Sequence, residues 1–163
     1  MLYFAFGSNM SSKRLGERIS SIRFISTARL DKHQLTFNKK SRDGSGKCDA
    51  VYTGDQDDRV FGVLFEIDES ELKTLDKVEG VNFGYEQKDV NVTTSTDELQ
   101  QAIMYSATDT ETGLQPYSWY KEHVLQGARE YGLPEIYIQE IESVDTIPDP
   151  DIMRSEQEMD LYK

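Results

Sequence analysis

Leu2-Tyr3-Phe4-Ala5-Phe6-Gly7-Ser8-Asn9-Met10 is the stretch from which the rest of the chain is read. Its first half is aromatic and aliphatic, the composition of a pleated, half-buried strand. It stops abruptly at Gly-Ser-Asn, and Ser11-Ser12-Lys13-Arg14 opens a polar, helix-favouring stretch. Gly7 is expected to take backbone angles that other residues resist. Ser8, Asn9, Ser11 and Ser12 suit turns and helix N-caps. The order predicts a strand, a tight turn and a short helix. Such a turn offers backbone N–H groups to something negative, for instance the carboxylate of a small substrate. The same residues also make an ordinary first strand with a polar turn, and the local pattern leaves both readings open.

Composition narrows the classes. The chain has 163 residues, enough for one domain with a real core, and its aromatic share of 10% argues against disorder over most of its length. Thirty acidic residues against eighteen basic ones give a net charge of −12. That balance repels phosphate backbones and anionic lipid, so neither nucleic acid nor a membrane is an expected partner. The lone cysteine, Cys48, excludes an internal disulfide and fits a reducing cytoplasm. No apolar run is long enough to span a bilayer, and the N-terminus lacks the order of a signal peptide. With a strand beginning at Leu2, the start is expected to be built into the fold.

Further along, Ser12 to Ile19 reads as a short helix, and Ile22–Leu30, Gln34–Lys39 and Asp49–Thr53 read as strands. Ser41 to Lys47 reads as a loop with some mobility. The almost wholly apolar Val60–Ile67 reads as a central strand. Asp68 opens a helix in which Glu71 is placed to complete a capping box, and Gly80 closes it. Tyr85–Thr94 and Leu99–Ala107 read as a hairpin turning at Asp97-Glu98. Tyr117–Tyr131 carries Tyr117, Tyr120, Val124, Ala128 and Tyr131 on one helical face. Pro134 suits the first turn of another helix, Glu135 to Glu142. From Asp145 the chain is acidic and reads as an extended or loosely attached tail. These elements predict an α+β fold, a small, mainly antiparallel curved sheet or barrel with packed helices. The expected domain covers residues 1–143, and the acidic C-terminal tail residues 144–163.

One carboxylate stands out by position. Glu79 follows Leu72 by seven residues and Leu75 by four, so it shares their helical face. It also sits at the helix C-terminus, where the backbone dipole is negative. Burial and dipole both disfavour an ionised carboxyl, which predicts a raised pKa and a group able to exchange protons near neutrality. A rim glutamate bonded to a neighbouring loop fits the same spacing.

Together, LYFAFGSNM and the later Leu75-Asp76-Lys77-Val78-Glu79-Gly80-Val81 resemble the γ-glutamylcyclotransferase family. The resemblance continues in Phe83-Gly84-Tyr85, in Trp119-Tyr120-Lys121 and in Gly127-Ala128-Arg129-Glu130-Tyr131-Gly132-Leu133-Pro134. It covers nearly the whole chain except the tail. It implies that the α-amine of a γ-glutamyl substrate attacks the substrate's own γ-carbonyl, closing 5-oxoproline and releasing an amine or amino acid. It further implies Glu79 as general acid/base, with no metal and no cofactor. Tyr3, Phe4, Ala5, Phe6, Gly7 and Ser8 would cradle the γ-glutamyl group through backbone amides. Asn9, Tyr85 and Tyr120 would complete the substrate-binding positions. A homodimer is a reasonable expectation on the same ground. The family commonly has tyrosine where this chain has Phe6, so any role of that hydroxyl is in doubt here; Met10 for leucine is conservative.

Other chemistries compete. Cys48 could be a nucleophile with His33 or His123 as base, but no motif surrounds it, and a lone cysteine is more often a small buried hydrophobe. Ser8 lies in Gly-Ser-Asn rather than a Gly-x-Ser-x-Gly elbow. Two scattered histidines do not make a metal site. A non-catalytic binding protein of the same fold is the rival from another class. Within the same chemistry, the enzyme could instead remove a γ-glutamyl cap from a larger amine.

Overall fold

A computed structural model describes all residues, Met1–Lys163. The opening stretch forms strand β1 (Leu2–Ala5), a 3-10 turn (Ser8–Met10) and helix α1 (Ser12–Arg18). Next come β2 (Arg23–Asp31), β3 (His33–Lys40), β4 (Gly46–Tyr52), β5 (Arg59–Glu66) and α2 (Glu69–Glu79). The chain continues through β6 (Tyr85–Thr94), β7 (Leu99–Ala107), α3 (Ser118–Glu130), α4 (Glu135–Glu142) and α5 (Ile152–Asp160).

Five strands close a barrel in the order β1-β5-β2-β6-β7, and β3 and β4 form a separate two-stranded sheet. β1 runs antiparallel to β5, with Phe4 opposite Leu64, and parallel to β7, with Tyr3 opposite Ile103. That parallel seam closes an otherwise antiparallel barrel, so β1 has a neighbour on each edge. Its continuous apolar run is what such a strand needs: Tyr3, Phe4 and Ala5 are all buried. Phe4 is fully buried, and truncating it to alanine would cost about 3–5 kcal/mol. β5 is central, as its composition predicts, paired with both β1 and β2.

Helix α3 packs its Tyr120, Val124 and Ala128 face onto the opening turn. Gly127 makes the approach possible: a Cβ there would lie 2.4 Å from Met10 Cβ and 2.5 Å from the Ser11 nitrogen. α2 ends at Gly80, whose left-handed backbone (φ 73°) turns the chain away immediately after Glu79.

Three expectations need correction. The capping box at Asp68 does not form. Glu71 instead accepts hydrogen bonds from the backbone N–H groups of Ser20 (2.8 Å) and Ser21 (2.7 Å) and from both hydroxyls. These bonds hold its carboxyl down to about 2 and tie α2 to the chain leaving α1. The loop expected at 41–47 is shorter, because Gly46 and Lys47 already belong to β4. It is also anchored, since Asp43 accepts from the Ser45 hydroxyl (2.6 Å) and from Lys47 (3.1 Å). The acidic segment is not an extended or loose tail. Asp149 is buried and accepts from Trp119 Nε1 (2.8 Å) and from Arg154, and α5 docks beside α3.

Candidate active site

Glu79 and the opening turn meet. Glu79 Oε1 accepts from Asn9 Nδ2 at 2.7 Å and from Arg18 Nη1 at 2.6 Å. Arg18 Nη1 also donates to Asn9 Oδ1 (2.7 Å), and Asn9 Nδ2 donates to the Tyr3 hydroxyl (3.0 Å). These bonds fix which way the Asn9 amide faces and hold one carboxylate oxygen. Oε2 of Glu79 has no hydrogen-bond partner within the chain. Only 14% of the Glu79 side chain and 19% of the Arg18 side chain are exposed, so the pair is shielded from solvent.

Local structure delivers both groups. Arg18 is the last residue of α1, where a cation is favourable against the helix dipole, and Glu79 is the last residue of α2. The Glu71 bonds to Ser20 and Ser21 tie the first turn of α2 to the chain leaving α1, and the Arg18–Glu79 pair itself joins the two helix C-termini. Sequence reasoning weighed burial and dipole at Glu79 but did not find Arg18. A basic residue in a final helical turn is ordinary, and nothing in its spacing distinguishes it.

Tyr3, Phe6, Gly7, Ser8, Asn9, Glu79, Tyr85 and Tyr120 line one cavity. Phe4 and Ala5 are buried and are not among the lining residues; the Phe4 ring packs against Gly62, where a Cβ would lie 2.7 Å from it. Two residues not anticipated complete the lining, Cys48 and Tyr105. Tyr105 meets Tyr3 edge-on (5.8 Å between centroids) and donates to Asp76 Oδ1 at 2.7 Å, one helical turn before Glu79. Its place on a buried strand gave no sign of a cavity role.

Cys48 builds the wall through its backbone. Its N–H donates to the Tyr120 oxygen (3.0 Å) and its carbonyl accepts from the Tyr85 hydroxyl (2.8 Å). Burial pushes its thiol up to about 12, which keeps it protonated and removes it as a nucleophile at neutral pH. Burial likewise raises Tyr85 and Tyr120 well above the ordinary phenol value, so both remain hydroxyls.

Gly7 is glycine for want of space rather than for its angles. Its φ is −111°, and a Cβ would sit 3.0 Å from Cys48 Cβ and 3.4 Å from the Tyr120 hydroxyl oxygen, inside the cavity. The N–H groups of Gly7 and Ser8 donate to no acceptor in the chain. Buried backbone donors are rarely left so, and these two border a cavity.

The back of the same turn is fully engaged. Arg14 Nε donates to Ser8 Oγ at 3.1 Å, and Arg14 Nη1 donates to Glu158 at 2.7 Å. Glu158 also bonds His123 Nε2 (2.7 Å), and Tyr162 bridges His123 Nδ1 (2.5 Å) and Ser11 (3.0 Å). His123 is thus a structural histidine.

A larger groove, about 590 Å3, runs between β3, β5 and α4 beside Phe61 and Tyr137. Of its three acidic residues, Asp57 and Glu140 are exposed and Asp58 is half-buried, accepting from the Thr53 hydroxyl at 2.6 Å; none is paired with a shielded cation as Glu79 is. Volume alone does not locate the chemistry.

The AIG2-like family model matches residues 59–141, about half of the chain, which sets the class of protein. The chain is 35% identical over 150 residues to the γ-glutamylcyclotransferase of Bos taurus, across 88% of this chain and 78% of that one. Against the Homo sapiens γ-glutamylcyclotransferase it is 32% identical over 149 residues, with the same coverage. A solved structure of a γ-glutamyl cyclotransferase superimposes with a TM-score of 0.87 at 28% identity over 96% of both chains. An uncharacterised Homo sapiens protein gives the same TM-score at 29% identity, over 99% of this chain and 98% of the other. The chain belongs to the γ-glutamylcyclotransferase family.

Proposed function

We propose that this protein is a γ-glutamylcyclotransferase, with Glu79 carrying the proton. A γ-glutamyl substrate contains its own nucleophile, so the protein must bend it and move protons. Holding the α-amine against the γ-carbonyl is worth about 7–11 kcal/mol of the barrier in well-positioned intramolecular reactions. The α-nitrogen bonds to the γ-carbonyl carbon, the bond to the departing nitrogen breaks, and a five-membered lactam, 5-oxoproline, remains. This is acyl transfer within one molecule, of the lyase or acyltransferase type.

Glu79 Oε2 takes a proton from the attacking nitrogen and returns it to the departing one, a contribution of about 10²–10⁴ in rate. Oε1 stays bonded to Asn9 and Arg18, which fixes the carboxylate plane throughout. The free N–H groups of Gly7 and Ser8 receive the oxygen on which negative charge develops, or the substrate carboxylate. Tyr3, Phe6, Tyr85 and Tyr120 enclose the glutamyl carbons. Phe6 contributes an aromatic wall without a hydroxyl. The observation that carries this reading is the pairing of one free carboxylate oxygen with two free backbone donors across one cavity. A homodimeric state and a cytoplasmic location extend the proposal, on the family likeness and the unpaired Cys48.

The test is incubation of the purified protein with γ-glutamyl-alanine. We expect equal release of 5-oxoproline and alanine. Binding without product, for every γ-glutamyl donor tried, would identify a non-catalytic binding protein of the same fold.

A further inference from the structure

We propose that the groove between β3, β5 and α4 is a docking site for an extended, basic peptide segment of a partner protein, which adds as a strand to the open edge of β3. The inference is independent of the chemistry at Glu79. β3 pairs with β4 and with no other strand. Its other edge is covered only at the far end, where the Lys40 N–H donates to the Asp109 carbonyl (2.9 Å) and the Glu111 N–H donates to the Asn38 carbonyl (2.8 Å). Over His33–Phe37 the backbone makes no hydrogen bond outside the ladder with β4. In an antiparallel pair alternate residues turn their N–H and C=O groups away from the partner strand. These five residues, about 16 Å of strand, therefore hold out donors and acceptors that meet nothing in the chain. Edges are commonly guarded by lysine, proline or a bulge. The stretch His33-Gln34-Leu35-Thr36-Phe37 has neither lysine nor proline, and the register shift of β3 comes after Thr36.

This edge faces a space that fits a chain. β3 and β5 begin together, where the Lys32 N–H donates to the Asp58 carbonyl (2.8 Å), and no strand pairing joins them farther on. The groove of about 590 Å3 lies between them, with α4 across it. Consecutive residues His33, Gln34 and Leu35 all line it, which sets the edge of β3 against the space rather than one face. Phe37, Phe61, Tyr137 and Ile141 supply an apolar floor. Tyr137 is only 6% exposed, and its hydroxyl donates to no acceptor. Alternate side chains of an added strand reach that floor, while its backbone meets the open edge.

Charge selects the occupant. Asp57, Asp58 and Glu140 stand in the lining, and none forms an ion pair. Arg59 is the one arginine or lysine among the lining residues, and it is turned toward Asp31 at 3.9 Å. Three unpaired carboxylates favour lysine or arginine at the alternate positions of the added strand that face away from the floor. A second copy of this chain, at net charge −12, brings mainly like charge to the groove. A small apolar molecule leaves the strand edge unmet.

The test screens the purified full chain against a bead-displayed library of random hexapeptides, acetylated and amidated at their ends. We expect enriched sequences that alternate apolar residues with lysine or arginine. The leading peptide, added to ¹⁵N-labelled protein, should shift the amides of His33–Phe37 and leave Gly7 and Ser8 unmoved. Methylating its backbone nitrogens at every second position should weaken binding by about tenfold or more in one of the two registers and little in the other, because only alternate N–H groups face the edge. Glu140→Lys, an exposed substitution, should weaken it by about fivefold. No enriched sequence, or shifts centred elsewhere, overturns the inference. Equal tolerance of both methylated registers overturns it too, and identifies an apolar pocket without strand pairing. Shifts at His33–Phe37 on concentrating the protein without peptide would make a second copy the occupant, and the inference fails.

Discussion

Toward α3 and α5, the turn at residues 7–9 has its polar groups matched inside the protein; toward the cavity it does not. On the back, Ser8 Oγ, Arg14, His123, Glu158 and Tyr162 form a continuous set of bonds. On the front, two backbone N–H groups and one carboxylate oxygen are left without partners. Matched buried groups hold a turn in place, and unmatched ones across a cavity await a ligand. The comparison separates two jobs that a residue list would merge: the back serves stability, and on the proposed function turnover belongs to the front.

The sharpest way to break that separation is Glu79→Gln. The amide keeps the shape but cannot carry a proton. We expect turnover to fall by about 10²–10⁴-fold, with substrate binding retained and a cooperative fold kept at a lower Tm, since Arg18 loses its counter-charge but keeps an oxygen to donate to. A variant equally inactive because it is unfolded would count against the division.

Arg14→Met should do the opposite. It leaves Glu158 facing His123 without its cation, and breaking such a largely buried pair costs about 3 kcal/mol in unfolding free energy. Denaturant unfolding would show the loss, and 5-oxoproline assays below the melting point should retain most of kcat. Gly127→Ala should come next, at about 1–3 kcal/mol, because its Cβ would press on Met10 and Ser11. That variant sharpens the comparison by shifting the turn itself, so KM should rise along with the loss of stability.

The smallest effect is in acid. Burial raises the Glu158 carboxyl, but the His123 hydrogen bond and the Arg14 charge outweigh it and leave it below its ordinary 4.5. Burial holds the His123 imidazole below its ordinary 6.5. Both groups bind protons less readily folded than unfolded. The stability they contribute is therefore complete above those ordinary values and drains away as pH falls through the lower folded ones. We expect Tm to begin dropping below about pH 6.5 and to drop further below about 4.5, with the lower step reduced in Glu158→Gln.

Much of the fold was legible because the relevant signals are local. β6 and β7 run over Tyr85–Thr94 and Leu99–Ala107, and α4 over Glu135–Glu142, as alternation and Pro134 predict. The apolar run in β1 and the Glu79 face of α2 were equally plain. What was illegible depends on partners distant in sequence. Glu71 has the spacing of a capping box, yet the serines after α1 compete for it and win with two backbone donors and two hydroxyls. Arg18 is sixty-one positions from Glu79, and no periodicity links them. Its place in a turn suggests unusual angles for Gly7, whereas the constraint is the wall that Cys48 places beside it. The C-terminal segment looks soluble and loose by composition, because its anchors are single residues, Asp149, Glu158 and Tyr162, whose partners Trp119, Arg14 and His123 lie on other elements.

The most direct measurement is a titration of ¹⁵N-labelled Glu79→Gln protein with γ-glutamyl-alanine, followed by amide shifts. Because this variant turns the substrate over about 10²–10⁴-fold more slowly, spectra recorded early in the titration report the bound state. We expect saturable shifts centred on the N–H groups of Gly7 and Ser8, with the Phe61–Tyr137 groove silent. Shifts centred on that groove, or Gly7 and Ser8 unmoved at saturation, would contradict the assignment.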